Sequence, residues 1–351
     1  MVGMAHELLI GTYTERLPHV DGHAEGVLSA RFDGSDVTDV SVAARVANPS
    51  WVTAAPGGEH VYAVSETEPD GGLVAFARAA DGSLTELGSA SSGGPSPAHA
   101  VVHPSGRFLI AGTYGGGTVS VFALAADGSL GERTAFVRHE GRGPDPERQD
   151  APHVHQLSVD PVSGDVVVVD LGIGEVRWYA FSDAGALTLR PEATVVLGSA
   201  GPRHLAFHPD GRHVVLVNEL DSSADVLRRE GDRFVRVQST TTRADGADGD
   251  NLTAAVCISD SGRTVLVSNR GDDAVAIFAF DAEASRLSLV GSVAVGGRTP
   301  RDLVIAPGGD RVLAACQDSD EIAVLAFDDA ERSLRLLGTS PVPTPVCLRF
   351  V

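Results

Sequence analysis

A two-strand block recurs six times along the chain, and this repeat constrains the fold more than any other feature. Each copy has an apolar segment, a turn at Pro or Asp followed by Gly, and a second apolar segment. The turns are anchored at Pro56, Pro104, Pro161, Pro209, Asp260 and Pro307, with spacings of 48, 57, 48, 51 and 47 residues. One or two further alternating segments follow each block, which gives four strands per repeat. Such units predict the blades of a β-propeller.

The two ends of the chain supply a seventh blade. The C-terminal PVCLRFV has the pattern of a first strand, and the N-terminal ELLIGTYT that of a second strand. Pairing 345–351 beside 7–13 closes the ring and removes two exposed edges. We therefore predict an all-β, seven-bladed propeller of four-stranded antiparallel blades, in one domain over 1–351. The expected blades are 48–95, 96–152, 153–200, 201–250, 251–298, 299–343, and 344–351 with 5–47.

Composition excludes several classes of function. The net charge of −20, with no local basic patch, argues against nucleic acid and anionic membranes as partners. Three scattered cysteines give neither a zinc motif nor a disulfide framework. Neither a leader sequence nor a membrane-length apolar segment is evident. We expect a cytoplasmic protein, monomeric or a weak homo-oligomer.

The repeat register predicts two rings of side chains around the channel. The residue six before each turn anchor gives Ser50, Ala98, His155, Arg203, Ala254 and Arg301. The residue ten after it gives Glu66, Tyr114, Leu171, Glu219, Arg270 and Gln317. Because the first two strands of a blade are antiparallel, both rings should lie at the same end of the channel. Charged groups gathered there must pair with one another or bind a ligand.

Neighbouring residues carry weaker signals. The polar insertion 137–152 precedes a first strand, so it should reach the same mouth. His153 and His155 form a His-x-His pair without an evident third ligand, and we expect no metal and no cofactor. His99 and His204, one step from the ring, are expected to point away from the axis and to hydrogen-bond between blades.

The sequence resembles a known family, the seven-bladed propeller lactonases, which includes bacterial 6-phosphogluconolactonase and fungal carboxymuconate lactonizing enzyme. The matching segments are IGTYT (10–14), NPSW (48–51), RQDAPHVHQ (148–156), DLG (170–172), GPRHLAFHP (201–209), VNEL (217–220), SNRG (268–271), TPRD (299–302) and PVCLRF (345–350). The resemblance implies a site of His155, Arg203, Glu219 and Arg270. One departure, Ser-Asp-Ser before Gly262 where the family often has Pro-Asp-Gly, leaves these four residues untouched.

We therefore expect metal-free hydrolysis of a small anionic lactone, with 6-phosphoglucono-δ-lactone as the leading substrate candidate. Glu219 is the expected general base and His155 the expected acid, while Arg203 and Arg270 would stabilise the oxyanion and hold an anionic group. The further substrate-binding candidates are Arg301, Glu66, Tyr114, Gln317 and Arg148.

Three alternatives stay open at this point. A cycloisomerase acting on muconate-like acids could use the same His and Glu for proton transfer. A non-catalytic interaction propeller could keep the charged groups as an ion-pair network that braces the channel. A metal-dependent lactonase is the third alternative.

Overall fold

The computed structural model of the protein describes residues 5–351. Residues 1–4 of the predicted domain, with the expectation about a leader there, lie outside the described residues.

Thirty-one strands make up almost all of the regular structure in this range. The first five are β1 (His6–Thr12), β2 (Arg16–Leu17), β3 (Val20–Asp21), β4 (Val27–Phe32) and β5 (Val37–Ala44). Next come β6 (Val52–Ala54), β7 (His60–Ser65), β8 (Gly72–Arg78), β9 (Leu84–Ser91), β10 (Pro97–Val102), β11 (Phe108–Thr113), β12 (Thr118–Leu124) and β13 (Leu130–Arg138). They are followed by β14 (Val154–Val159), β15 (Val166–Asp170), β16 (Glu175–Phe181), β17 (Leu187–Leu189), β18 (Val195–Val196), β19 (Pro202–Phe207), β20 (His213–Asn218), β21 (Ser223–Glu230) and β22 (Arg233–Thr241).

The last strands are β23 (Thr253–Ile258), β24 (Thr264–Asn269), β25 (Ala274–Asp281), β26 (Arg286–Ala294), β27 (Pro300–Ile305), β28 (Arg311–Cys316), β29 (Glu321–Asp328), β30 (Ser333–Pro341) and β31 (Pro345–Phe350). Single 3₁₀ turns lie at Pro191–Ala193, Gly198–Ala200 and Gln317–Ser319. None of the helices in 5–351 has the length and apolar character that crossing a lipid bilayer requires.

Seven antiparallel sheets form the blades of the propeller. Blades 1 to 6 are β6–β9, β10–β13, β14–β18, β19–β22, β23–β26 and β27–β30. Blade 7 has the order β31-β1-β4-β5, and β31 pairs with β1 from Leu8–Phe350 to Thr12–Pro345. The predicted fold is therefore confirmed, including the closure of the ring by the two ends of the chain. Strands β2 and β3 form a separate hairpin.

The core lies between neighbouring blades, because alternate residues of each strand face opposite sides of their sheet. In β1, Leu8 and Ile10 pack against blade 6, while Leu9 packs against blade 1. All three side chains are fully buried. Each blade is thus apolar on both faces, and polar side chains concentrate at the channel and the outer rim.

In blades 2, 3, 4 and 6, a β-bulge in the inner strand directs one side chain toward the channel. In blade 4, Pro202 pairs with Asn218 and His204 with Val217, so Arg203 has no pairing partner in β20. Ala98, His155 and Arg301 occupy the same unpaired position in blades 2, 3 and 6. Because a bulge inserts an extra residue and turns it out of the pleat, these side chains leave the sheet and enter the channel.

A residue with left-handed backbone precedes several of these bulges and joins the two predicted rings. Gly201 (φ 68°), Ser96 (φ 51°) and Thr299 (φ 58°) each stand just before the proline that begins an inner strand. The carbonyl of each accepts the backbone N–H of a second-ring residue, with separations of 2.7 Å for Glu219, 2.7 Å for Tyr114 and 3.1 Å for Gln317. This repeated hydrogen bond places the end of the second strand beside the start of the first.

Candidate active site

A cavity of about 370 Å³ opens at one mouth of the channel, where the two rings meet. It is lined by His19, Glu66, Ala98, Tyr114, Arg148, His155, Glu219, Leu252, Arg270 and Arg301. Arg203 lies deeper and lines a narrow extension of this cavity. The structure therefore brings together eight of the nine residues that the sequence singled out.

An aromatic plug closes the channel below the cavity. The Trp51 ring lies 3.9 Å from that of His99 and 5.7 Å from that of His204, between ring centroids. His204 also packs edge-on against His155 at 5.2 Å. The expectation that both histidines point away from the axis was wrong, because their rings fill the narrow centre of the channel. Nδ1 of His99 does accept an inter-blade hydrogen bond from the Leu157 N–H (3.4 Å). Since the plug blocks the far side, the cavity opens at one mouth.

Glu219 is the electrostatic centre of the cavity. Its Oε1 lies 2.6 Å from Arg148, and its Oε2 lies 3.0 Å from Arg203 and 2.8 Å from Arg270. Burial alone would raise the pKa of this carboxyl, but Arg270 and Arg203 outweigh burial and hold the pKa well below its usual range. Glu219 is thus ionised at neutral pH, where it pairs with three guanidinium groups.

His155 has the opposite character. Its side chain is buried, and its Nδ1 has no hydrogen-bond partner within residues 5–351. Burial and the neighbouring Arg203 lower the pKa of His155 well below its usual value, so the imidazole is neutral at pH 7. A buried nitrogen without a partner is rare in proteins and is typical of groups that contact a ligand.

One of the guanidinium groups around Glu219 retains an unused donor. The Nε of Arg270 is buried and donates no hydrogen bond within 5–351, whereas the Nε of Arg203 faces Glu219 Oε2 at 3.0 Å. Burial, together with Arg270 and Arg301, lowers the pKa of Arg203 to about 9, which still leaves it cationic at neutral pH. An incoming anion would relieve the repulsion among these groups.

Arg301 and Glu66 form the wall opposite Glu219. The Arg301 guanidinium lies over the Tyr13 ring, 5.7 Å from its centroid, and its Nη2 lies 3.4 Å from the Tyr13 hydroxyl. Arg301 makes no ion pair among the described residues. Glu66 accepts hydrogen bonds at Oε2 from the hydroxyls of Tyr13 (3.0 Å) and Ser50.

The insertion 137–152 reaches the site, as its position predicted. Asp145 holds the turn by accepting the backbone N–H of Glu147 (2.9 Å) and Arg148 (3.0 Å). Arg148 then extends over the cavity to Glu219 and lies 3.4 Å from the Tyr114 hydroxyl. His153 stacks on Tyr114 instead of joining His155, with ring centroids 4.3 Å apart.

Gln317 is the one candidate that the structure keeps away from this cavity. A 3₁₀ turn begins at Gln317, and its Nε2 donates to Asp318 at 2.8 Å. The side chain instead lines a neighbouring cavity beneath the β2–β3 hairpin.

Two polar residues of the site, Tyr13 in the deep extension and His19 in the main cavity, escaped the sequence prediction. Tyr13 directly follows β1, and its N–H approaches the Thr344 carbonyl (3.4 Å), so it is the blade 7 member of the second ring. Extending the ring alignment to the split blade would have identified it. His19 lies on the β2–β3 hairpin, which has no counterpart in the repeat. Partial burial and Arg301 lower the pKa of His19 to about 4.

Comparison with known proteins agrees with the geometry. The family described as lactonase, 7-bladed beta-propeller, matches residues 7–350. The 6-phosphogluconolactonase of Bacillus subtilis (strain 168) is 32% identical over 303 residues, which cover 85% of this chain and 84% of that protein. The 6-phosphogluconolactonase of Pectobacterium carotovorum subsp. carotovorum (strain PC1) is 33% identical over 241 residues, 68% of each chain.

A solved structure extends the similarity to three dimensions. The periplasmic gluconolactonase of Pseudomonas aeruginosa superimposes with a TM-score of 0.91 at 30% identity, covering 99% of both chains. Fold and sequence similarity agree over nearly the whole length. The chain belongs to the seven-bladed β-propeller lactonase family and is a lactonase.

Proposed function

We propose that the enzyme hydrolyses a sugar-acid δ-lactone that carries a second, anionic group, with 6-phosphoglucono-δ-lactone as the first candidate. The observation that carries this proposal is the charge of the cavity. Four arginines, Arg148, Arg203, Arg270 and Arg301, accompany one carboxylate that is held ionised, Glu219. This excess of positive charge attracts an anionic substrate into the cavity, although the protein's net charge of −20 would otherwise repel it. The names of the two 6-phosphogluconolactonase relatives support the same substrate class.

Arg301 is the proposed anchor for the phosphate. The other three guanidinium groups share Glu219, whereas Arg301 makes no ion pair among the described residues. A guanidinium can bind a phosphate through two parallel hydrogen bonds. Tyr114 and Arg148, on the opposite side of the cavity, would contact the rest of the sugar acid.

The geometry favours His155 over Glu219 as the general base. Both oxygens of Glu219 face guanidinium groups, so this carboxylate accepts a proton only at low pH. His155 is neutral at pH 7, is buried, and has an unused ring nitrogen. In the proposed step, His155 takes a proton from water while the water oxygen adds to the lactone carbonyl. An anion bound to the arginines raises the pKa of His155 and makes it a stronger base.

Arg203 and Arg270 are placed to stabilise the oxyanion that forms in this step. The buried Nε of Arg270 has no acceptor within residues 5–351, so donating to a developing negative charge there breaks no existing hydrogen bond, whereas the Nε of Arg203 faces Glu219 Oε2 at 3.0 Å. Fixed donors of this kind in a water-poor site account for much of the rate enhancement in acyl transfer. Glu219 then acts as a positioning residue that holds both guanidinium groups.

The donor set of the cavity supports a metal-free reaction. The ionised carboxylate of Glu219 is already paired with three arginines. Arginines also surround His155, and their positive charge would repel a metal ion. The described residues hold one cluster of possible ligands, His208, Asp210 and His213, at the turn between β19 and β20. These ring nitrogens already bond within the protein, to Asp210, Gly262 and Ser285. That turn lies at the opposite end of the strands from the cavity.

A lactone panel tests the substrate proposal. Proton release, corrected for spontaneous hydrolysis, would be measured with 6-phosphoglucono-δ-lactone, glucono-δ-lactone and a carboxymuconolactone, each with chelator present. We expect kcat/KM to be highest for the phosphorylated lactone and unchanged by chelator. Loss of activity on chelation, restored by a divalent ion, would refute the metal-free mechanism. Preferred turnover of the muconate-type compound would assign the chain to cycloisomerisation, and no turnover at all would favour a non-catalytic propeller.

Replacing His155 tests whether this residue, and not a neighbouring group, is the general base. We expect His155→Gln to lower kcat by about 10²–10⁴-fold with little change in KM, which is the usual contribution of general acid–base catalysis. The wild-type rate should fall as pH drops through the lowered pKa of His155, and this acidic limb should be missing from the variant. A full acidic limb in His155→Gln would assign the base to another group.

A further inference from the structure

Two carboxyl groups face each other across the cavity in contrasting surroundings. Glu219 belongs to blade 4 and Glu66 to blade 1, so they stand on opposite walls of the ring. Glu219 is surrounded by guanidinium groups, whereas Glu66 makes no ion pair among residues 5–351. Its Oε2 accepts the hydroxyls of Tyr13 and Ser50.

The environment of Glu66 shifts its pKa in the direction opposite to that of Glu219. Burial raises the pKa of Glu66, while arginines depress that of Glu219. Both hydroxyl donors use Oε2, which leaves Oε1 free of hydrogen bonds within the described residues. The proton of a neutral Glu66 therefore sits on the free oxygen, at the cavity wall. Carboxyls with opposing pKa shifts in one cleft are typical of groups with different proton-transfer roles.

Opening a sugar lactone requires an acid as well as a base. When the tetrahedral intermediate collapses, the bond between the carbonyl carbon and the ring oxygen breaks, and its electron pair stays on that oxygen. An aliphatic alkoxide is a poor leaving group unless it is protonated as the bond breaks. The protonated His155 is one source of this proton, and a separate acid that lines the cavity is another.

We propose that Glu66 is the general acid that protonates the ring oxygen of the lactone. This inference rests on the proposed hydrolysis. In the step, the Glu66 proton passes to the ring oxygen, which becomes a hydroxyl, and Glu66 becomes a carboxylate. The new carboxylic acid product releases its proton to solvent, and the proton on His155 returns to Glu66, directly or through water. Overall, one water is consumed and one proton is released.

The groups around Glu66 are consistent with this role. Tyr13 and Ser50 donate to it, while Arg301 and Arg203 are the nearby cations. Burial and Glu66 raise the pKa of Tyr13, so the phenol keeps its proton and remains a donor. Two hydroxyl donors and two cations stabilise the carboxylate that forms during the step, without making an ion pair in the resting enzyme.

Leaving-group dependence tests the proposal. Glu66→Gln keeps the shape but cannot donate an acidic proton. We expect it to lower kcat for an aliphatic δ-lactone by about 10²–10³-fold. With dihydrocoumarin, whose phenolate leaves with a pKa of about 10 and needs no acid, the rate should change less than threefold. An equal loss with both lactones would show that Glu66 only binds substrate or supports the fold, and would overturn the proposal.

Controls keep this outcome distinct from failure of the proposed function. Glu68→Gln removes an exposed carboxylate two residues away and should match the wild type on both lactones. A wild-type enzyme that hydrolyses neither compound would refute the hydrolytic function itself. Should Glu66→Gln not fold, the wild-type pH profile decides, because a basic limb should appear with the aliphatic lactone and not with dihydrocoumarin. Ser50→Ala, which removes one donor to the carboxylate, should move that limb up by about one pH unit. An identical profile for both lactones would contradict an acid role.

Discussion

Glu219 faces Arg148, Arg203 and Arg270 at 2.6, 3.0 and 2.8 Å, and its side chain is only 4% exposed. A carboxylate in this position is the counter-ion that holds the three guanidinium groups in place. His155 has the complementary property, since burial and Arg203 keep it neutral. At the scale of residues, neighbours therefore decide which group accepts a proton, and residue type alone does not.

Removing the carboxylate charge should destabilise the protein. We expect Glu219→Gln to lower the free energy of unfolding by about 3–5 kcal/mol, because buried arginines lose their counter-ion. Because the lowered pKa of Glu219 contributes stability above the usual carboxyl range, the difference from wild type should be full at pH 7 and shrink as pH falls toward the folded-state pKa.

Urea denaturation at several pH values measures this difference. Glu230→Gln is the matched control, because Glu230 pairs with Arg228 at 2.7 Å and is 42% exposed. That variant should change stability by less than about 1 kcal/mol. Equal effects of the two substitutions would mean that Glu219 is not an essential counter-ion.

At the scale of elements, the site depends on a repeated defect in regular structure. In blades 2, 4 and 6 the inner strand begins after a left-handed residue, carries a bulge, and lies beside the end of the second strand through a backbone hydrogen bond. The bulge directs Arg203 and its equivalents into the channel. The same local geometry thus produces a ring of functional positions whose chemistry varies from blade to blade.

Much of this was predictable, because the repeat fixes the register. Aligning turn anchors placed His155 and Arg203 on one ring and Glu219 on the other without knowledge of the bulge. The central plug was not predictable, since the direction of the His204 ring depends on how Trp51 packs across the axis. Gln317 occupies a position equivalent to that of Glu219 in the second ring, but its side chain does not face the cavity, because a 3₁₀ turn begins at Gln317. His19 belongs to a hairpin outside the repeat.

In the proposed function, the insertion 137–152 contributes to substrate binding through Arg148. We expect Arg148→Ala to raise KM for a phosphorylated lactone by about tenfold, since a partly exposed cation near a bound anion contributes about 1 kcal/mol or slightly more. KM for neutral glucono-δ-lactone should change much less. Steady-state kinetics on both substrates measure the ratio, and Arg138→Ala, an exposed arginine at the end of β13, is the control. A similar rise with both substrates would indicate that Arg148 shapes the cavity rather than attracting charge.

At the scale of the whole molecule, stability depends on how the ring of blades is closed. In blade 7 the ring is closed by the pairing of two strands that no loop connects. Strands β31 and β1 come from opposite ends of the chain and are held in blade 7 by backbone hydrogen bonds and apolar packing. Val346, Cys347 and Leu348 are buried within this junction. The inner strand of blade 7 also completes the channel wall, with Val346 lining the deep part of the cavity. Fold closure and site integrity are therefore coupled.

Deleting residues 345–351 should open the ring. Burial of Val346 and Leu348 alone contributes about 1.5–3 kcal/mol each, against a typical total stability of about 5–15 kcal/mol. The deletion also exposes the edge of β1 and the flank of blade 6, so we expect loss of the cooperative thermal transition and aggregation. A circular permutant provides the matched test: Val351 joined to Ala5 by a short linker, with new ends in the exposed turn at 125–127, makes the junction covalent. It should unfold at or above the wild-type temperature and retain lactonase activity. A truncated chain that melts like the wild type would show that the other six blades hold the ring without β31.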